Sequence, residues 1–108
     1  MQPQSSQESS ERSVLEALED RRCRRILHEL YREPATAREI SRACDIPLST
    51  TYRKLKLLQE TSLVETATRI REDGSHAREY SVTFDRVVVD LEGERGFTTR
   101  LATGDDCA

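Results

Sequence analysis

The sequence predicts an α+β fold in which helices come first and antiparallel hairpins follow. Three observations carry that expectation. Apolar residues recur at three- and four-residue steps as far as Leu58, the period shortens towards two after Ser62, and an Asp73-Gly74 turn signal divides the stretch that follows. At 108 residues the chain is long enough for one domain with one core and too short for two independent ones.

The first eleven residues, "MQPQSSQESSE", are polar and read as a disordered tail. The domain is expected over residues 12–101, with a loose tail over 102–108. Val14, Leu15, Leu18, Cys23, Ile26, Leu27, Leu30 and Tyr31 fall on one face of an amphipathic helix from about Arg12 to Tyr31. Ser10 or Ser13 caps its start, and Glu33-Pro34 stops it, because the residue before proline is pushed out of the helical region. The middle of this helix, "EDRRCRRILHE", sets Arg21, Arg22, Arg24 and Arg25 among acids. It reads first as a solvated, salt-bridged face and second as a phosphate contact.

Thr36 with Glu39 three residues later forms a capping-box signature, and Ala37, Ile40, Ala43 and Cys44 make the stripe of a short helix over about 37–43. Asp45-Ile46-Pro47 breaks the chain. Leu48, Thr51, Leu55 and Leu58 then share one face of a longer helix that runs to about Glu60. Residues 63–83 alternate around the Asp73-Gly74 turn and predict a β-hairpin. Residues 86–101 hold a Val-rich strand, two glycines and a second apolar run, and predict a further strand or hairpin, with a short helix from Arg86 to Leu91 as the alternative.

Three helices, the second and third joined by a tight turn, then a hairpin with a polar tip: this order is the winged helix-turn-helix architecture. Its logic is that the major groove of DNA admits one α-helix while the hairpin reaches the flanking backbone or the minor groove. A helical wheel places Ser49, Thr50 and Arg53 opposite the core face, with Lys54 and Lys56 on the flanks. The whole chain has 17 basic against 20 acidic residues and a net charge of −3, yet Leu48 to Leu58 holds three basic residues and no acid. Arg69, Arg71, His76 and Arg78 surround the hairpin turn, offset in part by Glu72, Asp73 and Glu79. Arginine reads guanine or phosphate with a two-pronged guanidinium, and Ser or Thr hydroxyls serve either. Double-stranded DNA is therefore the expected partner.

The segments "TAREISRACDIPLSTTYRKLKLLQETSLVE" and "RIREDGSHAREYSV" also resemble the winged helix-turn-helix transcription regulators, especially the small ArsR-like ones of extremely halophilic archaea. The resemblance covers about Val14 to Val82. It implies that Ser49, Thr50, Arg53 and Lys54 match DNA-reading positions and that Arg69 to Arg78 match the wing. Two departures stand out. Ser62 occupies a position that is usually glycine, which predicts a less sharply turned helix exit, and the paired-cysteine metal motif is absent.

The expected function is a sequence-specific transcriptional regulator acting as a homodimer, because one recognition helix reads only a few base pairs. Val14, Leu15 and Leu18 with Val87, Val89 and Leu91 are the candidate dimer surface, as both segments carry more apolar side chains than so small a core uses. Two other readings stand beside it: a winged-helix module that binds the transcription machinery, and a thiol-based redox-responsive repressor using Cys23, Cys44 or Cys107.

Enzyme function has little support in the sequence: no Ser-His-Asp ordering, phosphate-binding glycine loop, metalloprotease motif or carboxylate pair in an apolar setting is discernible. No cofactor is expected, and the histidines and cysteines have no zinc spacing. His28 reads as a core-edge residue. An odd cysteine count, no apolar run near the ~20 residues that span a bilayer and no signal-peptide pattern point to a reducing cytoplasm and no membrane. Only two of the 17 basic residues are lysines, a bias that fits acidic, strongly hydrated surfaces in a salt-rich cytoplasm.

Overall fold

The structure, a computed structural model, describes residues 14–104. The N-terminal tail, the helix start at Arg12 with its Ser10 or Ser13 cap, and Cys107 in the C-terminal tail lie outside those residues.

The first helix is broken where a continuous one was expected. Residues 14–19 are helical (α1), Asp20 is not, and α2 spans Arg21–Arg32. The cause is local: Asp20 is extended at φ −78°, ψ 123°, and its side chain accepts the Cys23 N–H at 3.0 Å. An N-cap of this kind begins a helix, and Asp is among the best residues for it. The Arg24 guanidinium donates to the Leu18 and Glu19 carbonyls at 2.9 Å each, satisfying acceptors at the end of α1. Glu33, at φ −167° and ψ 150°, ends α2 before Pro34.

A two-residue strand, β1 (Ala35–Thr36), precedes α3 (Ala37–Cys44). Thr36 and Glu39 make the expected capping box: the Thr36 hydroxyl accepts the Glu39 N–H, and the Glu39 carboxylate accepts the Thr36 N–H. The chain turns at Asp45 and enters α4 (Leu48–Glu60) with Pro47 as its N-cap residue. Asp45 is left-handed at φ 58°; its N–H donates to the Arg42 carbonyl and the Ile46 N–H to the Ser41 carbonyl. The end of α4 repeats this pattern. Ser62 sits at φ 67°, its N–H donates to the Gln59 carbonyl and the Leu63 N–H to the Leu58 carbonyl. That paired arrangement is a Schellman motif, with Leu58 and Leu63 as its hydrophobic contact. The expected looser exit at Ser62 is thus corrected: serine adopts the left-handed conformation and the turn is tight.

The wing consists of β2 (Val64–Ile70) and β3 (His76–Val82), antiparallel with Val64 opposite Val82 and Ile70 opposite His76. β1 adds to the free edge of β3, giving the order β1-β3-β2. Residues 86–102 form a second hairpin, β4 (Arg86–Leu91) and β5 (Phe97–Ala102), and not the alternative helix. β5 continues through Ala102, which is buried, so that residue belongs to the strand rather than to a tail.

The core gathers Ile26 and Leu30 of α2, Ile40 of α3, Leu55 and Leu58 of α4, and Leu63, Val64 and Tyr80 of the wing. Thr51 joins it completely buried, with its hydroxyl donating to the Pro47 carbonyl at 3.0 Å. Val14 is also core, at 5% exposure. These contacts hold α4 against α2 and α3 and fix the wing beside the outer side of α4. Among the described residues no helix is long and apolar enough to cross a membrane.

Candidate nucleic-acid interface

The outer side of α4, the start of α3 and the inner side of the wing enclose an open groove of about 720 Å³. Tyr52, Lys56 and Gln59 line it from α4, at spacings of four and three that place them on one helical face. Arg38 enters from the first turn of α3, and Arg71, Ser75, His76 and Arg78 from the wing. None of its lining residues is a carboxylate. Lys56, Arg38, Arg71, His76 and Arg78 are exposed, and Tyr52 is half exposed at 51%. The groove is thus a donor-rich, cationic channel on a chain that is acidic overall.

The wing's geometry follows from strand parity. Tyr80 and Val82 face the core, so His76 and Arg78 continue the same face outward into the groove. The tip is stiffened by Asp73, whose carboxylate accepts both the N–H and the hydroxyl of Ser75 at 2.9 and 2.7 Å. Those two bonds hold the Asp73 carboxyl below the ordinary aspartate range. Gly74, at φ 87°, supplies the left-handed residue that the turn needs.

The nine sequence-nominated residues separate into three groups. Lys56, Arg71, His76 and Arg78 come together in the groove. Ser49 and Arg53 are exposed on α4 outside it. Thr50 is placed differently from the sequence reading, and Lys54 and Arg69, on the flank of α4 and in the wing as expected, are engaged in ion pairs. Thr50 is buried at 7% exposure, and its hydroxyl oxygen faces Arg53 Nη2 at 3.4 Å. The helical wheel set it outward, but the packing of α4 buries Thr50 and Thr51 together. Lys54 Nζ lies 2.6 Å from Asp20 Oδ2, so the ammonium is spent on the N-cap of α2. Its hydrogen bond is the main reason that the Asp20 carboxyl sits below the ordinary aspartate range. Arg69 is paired with Glu79 on the neighbouring strand and with Glu39 Oε2 at 3.4 Å.

Arg38, Tyr52 and Gln59 were missed. The last two were within reach of the sequence, because residues 52, 56 and 59 form one face by spacing alone. Arg38 was not, since its place depends on how α3 meets the wing.

Chemistry of other kinds finds little here. Cys23 and Cys44 are buried at 0% and 2% exposure. Burial pushes the Cys23 thiol up to about 11 and raises that of Cys44 as well. A reactive sensor thiol needs the opposite shift and access to solvent. His28 is exposed, beside Leu27 and Tyr31, rather than at the edge of the core.

With the groove and its helices in place, comparison with protein families is decisive. The family described as Helix-turn-helix domain matches residues 12–67, more than half of the chain. The chain belongs to this family. The match spans α1 to α4 and ends within β2, so most of the wing and the whole second hairpin lie beyond it. No curated protein matches the chain. As a helix-turn-helix protein of the winged type, it falls in a class of DNA-binding regulators, and α3 and α4 are its two helix-turn-helix elements.

Proposed function

We propose that this helix-turn-helix protein is a homodimeric, sequence-specific transcriptional regulator of the ArsR-like type. α4 enters the major groove, and the wing lies on the flanking backbone or minor groove. The observation that carries the reading is the groove itself: four cationic side chains and one imidazole, from α3, α4 and the wing, converge with no carboxylate among them, in a chain with net charge −3. A polyanion is attracted to that surface although the chain as a whole is acidic. Ser49 and Arg53 at the start of α4 are the proposed base readers, as the first turns of a recognition helix approach base edges. Lys56, Arg71, His76 and Arg78 are the proposed backbone contacts. Lys54 and Arg69 act instead as braces that hold α4 and the wing in place.

Homodimerisation is supported by the second hairpin. Val87, Val89 and Leu91 share one face with their cross-strand partners Leu101, Thr99 and Phe97. Val87 and Leu101 pack on the core, but Val89, Leu91 and Phe97 are 45%, 70% and 60% exposed. A two-stranded ribbon with a bare apolar face is marginal in water by itself, and a second copy covers it. Leu15, at 39% exposure, remains available to the interface, whereas Leu18 packs partly buried against the core and Val14 is consumed by it.

Selection from a randomised duplex library with the full-length chain tests the proposal. The expected result is an enriched site built of two inverted half-sites, bound more weakly by Arg53→Ala and Lys56→Ala. Absence of any enriched sequence overturns the specific-regulator reading.

A further inference from the structure

A second basic cluster lies beside the turn that leads into α4, at the opposite end of that helix from the one that leads into the wing. Arg21, Arg22 and Arg25 of α2 line a recess of about 290 Å³ together with Cys44, Asp45 and Ile46 of the helix-turn-helix turn. The three arginines are exposed, and none makes an ion pair among the described residues. The segment is thus the solvated face expected of it, but these arginines are not salt-bridged. The one carboxylate in the recess, that of Asp45, leaves the cluster positive.

The cluster is unfavourable in the free protein. Arg21 and Arg25 stand four residues apart and Arg22 and Arg25 three, so like charges face one another along the helix. The first turn of α2 contains no acid, and the carboxylate next to it, that of the N-cap residue Asp20, is engaged by Lys54. A local conflict of this kind is expected where a surface serves a partner rather than the fold. The position indicates which partner. Ile46 leads directly through Pro47 into the first turn of α4, and Asp20, next to Arg21, is bonded to Lys54 of α4 at 2.6 Å. The recess therefore adjoins the turn that leads into α4, whose first turns approach the DNA in a docked helix-turn-helix.

We infer that Arg21, Arg22 and Arg25 form a second phosphate-binding site that grips the DNA backbone beside the turn that leads into α4. The inference rests on the DNA-binding reading above. It gives the footprint two parts: the wing groove holds one backbone segment and the α2 arginines another. Guanidinium groups suit this task, since each presents a fork of donors to phosphate oxygens.

The test is the salt dependence of binding by the full-length chain to a mixed-sequence DNA duplex, followed by fluorescence anisotropy. Each phosphate contact contributes about 0.9 to the slope of log affinity against log salt concentration. The triple variant Arg21→Gln, Arg22→Gln, Arg25→Gln is expected to flatten the slope by roughly 2–3, and the corresponding triple lysine variant to retain it. Arg71→Gln with Arg78→Gln, in the wing groove, serves as the reference. A slope unchanged in the glutamine variant but flattened by the wing variant overturns the second site and leaves DNA binding intact. If neither variant moves the slope, the DNA-binding reading falls with it. A loss equal in the lysine and glutamine variants assigns the arginines to packing and also overturns the proposal. Circular dichroism and thermal melting of each variant separate unfolding from lost contact.

Discussion

Glu39 and Arg69 join the helix-turn-helix to the wing through one divided carboxylate. Glu39 Oε1 accepts the Thr36 N–H at 2.9 Å and so caps α3, while Oε2 lies 3.4 Å from the Arg69 guanidinium on β2. Arg69 is held from its other side by Glu79. α3 and the wing are thus joined by polar contacts on the face of the wing opposite the groove as well as by the core.

Replacing Glu39 by alanine removes both functions. Loss of the Glu39 half of the capping box, with the Thr36 hydroxyl still accepting the residue 39 N–H, is expected to destabilise the fold by about 0.5–1 kcal/mol in urea unfolding. Arg69→Ala costs less, because the cap survives. A double-mutant cycle on the pair should give a coupling distinct from zero; strictly additive losses contradict the brace.

Acid should weaken the protein through the same residues. The Glu39 carboxyl is held below the ordinary glutamate range by the Thr36 N–H first and Arg69 second, and that of Asp20 below the aspartate range by Lys54. A carboxyl lowered in the folded state stabilises it at pH values above the unfolded pKa, and this stabilisation disappears as pH falls through the folded value. Stability is therefore expected to be level above the ordinary carboxylate range near pH ~4 and to decline below it. Glu39→Gln and Asp20→Asn should each make the decline shallower. Unfolding midpoints across an acid pH series decide it, and identical profiles in wild type and both variants contradict the assignment.

Ser62 offers a gain. A residue with a β-carbon in the left-handed region costs about 1–2 kcal/mol, and glycine's extra unfolded-state freedom costs roughly 0.5–1. At φ 67° in the Schellman turn, Ser62→Gly should stabilise by about 0.5–1 kcal/mol. A melting temperature at or below that of wild type shows that the turn is not strained.

The apolar face of the second hairpin governs assembly in this account. Leu91→Glu with Phe97→Glu should convert the dimer to a folded monomer in sedimentation velocity, since both side chains are exposed in one subunit. A dimer that persists in this variant places the interface elsewhere.

Much of this architecture was legible in the sequence because local signals agreed with the packing. The capping box at Thr36 and Glu39, the Asp45 turn, the α4 limits and the Asp73-Gly74 hairpin all have short-range causes. The break at Asp20 was not legible, since the apolar spacing runs across it unbroken and only the N-cap bond to Cys23 reveals it. The functional surface was less transparent for a related reason. Charge marked Lys54 and Arg69 as candidates, but their partners Asp20 and Glu39 are distant in sequence and become neighbours only through the fold. Strand parity sets Arg69 and Glu79 on one face and His76 and Arg78 on the other, a distinction available once the hairpin register is known. Thr50 shows the limit of a helical wheel, which ranks faces but does not say how wide the buried face is.

The central claim is that α4 and the wing form a DNA-binding groove, and backbone amide NMR of the full-length protein titrated with duplex DNA tests it most directly. Shifts concentrated at Ser49, Tyr52, Arg53, Lys56 and Gln59 and across residues 71–78, with β4 and β5 unmoved, are the predicted result. Shifts confined to the second hairpin, or none at these positions under DNA saturation, contradict it.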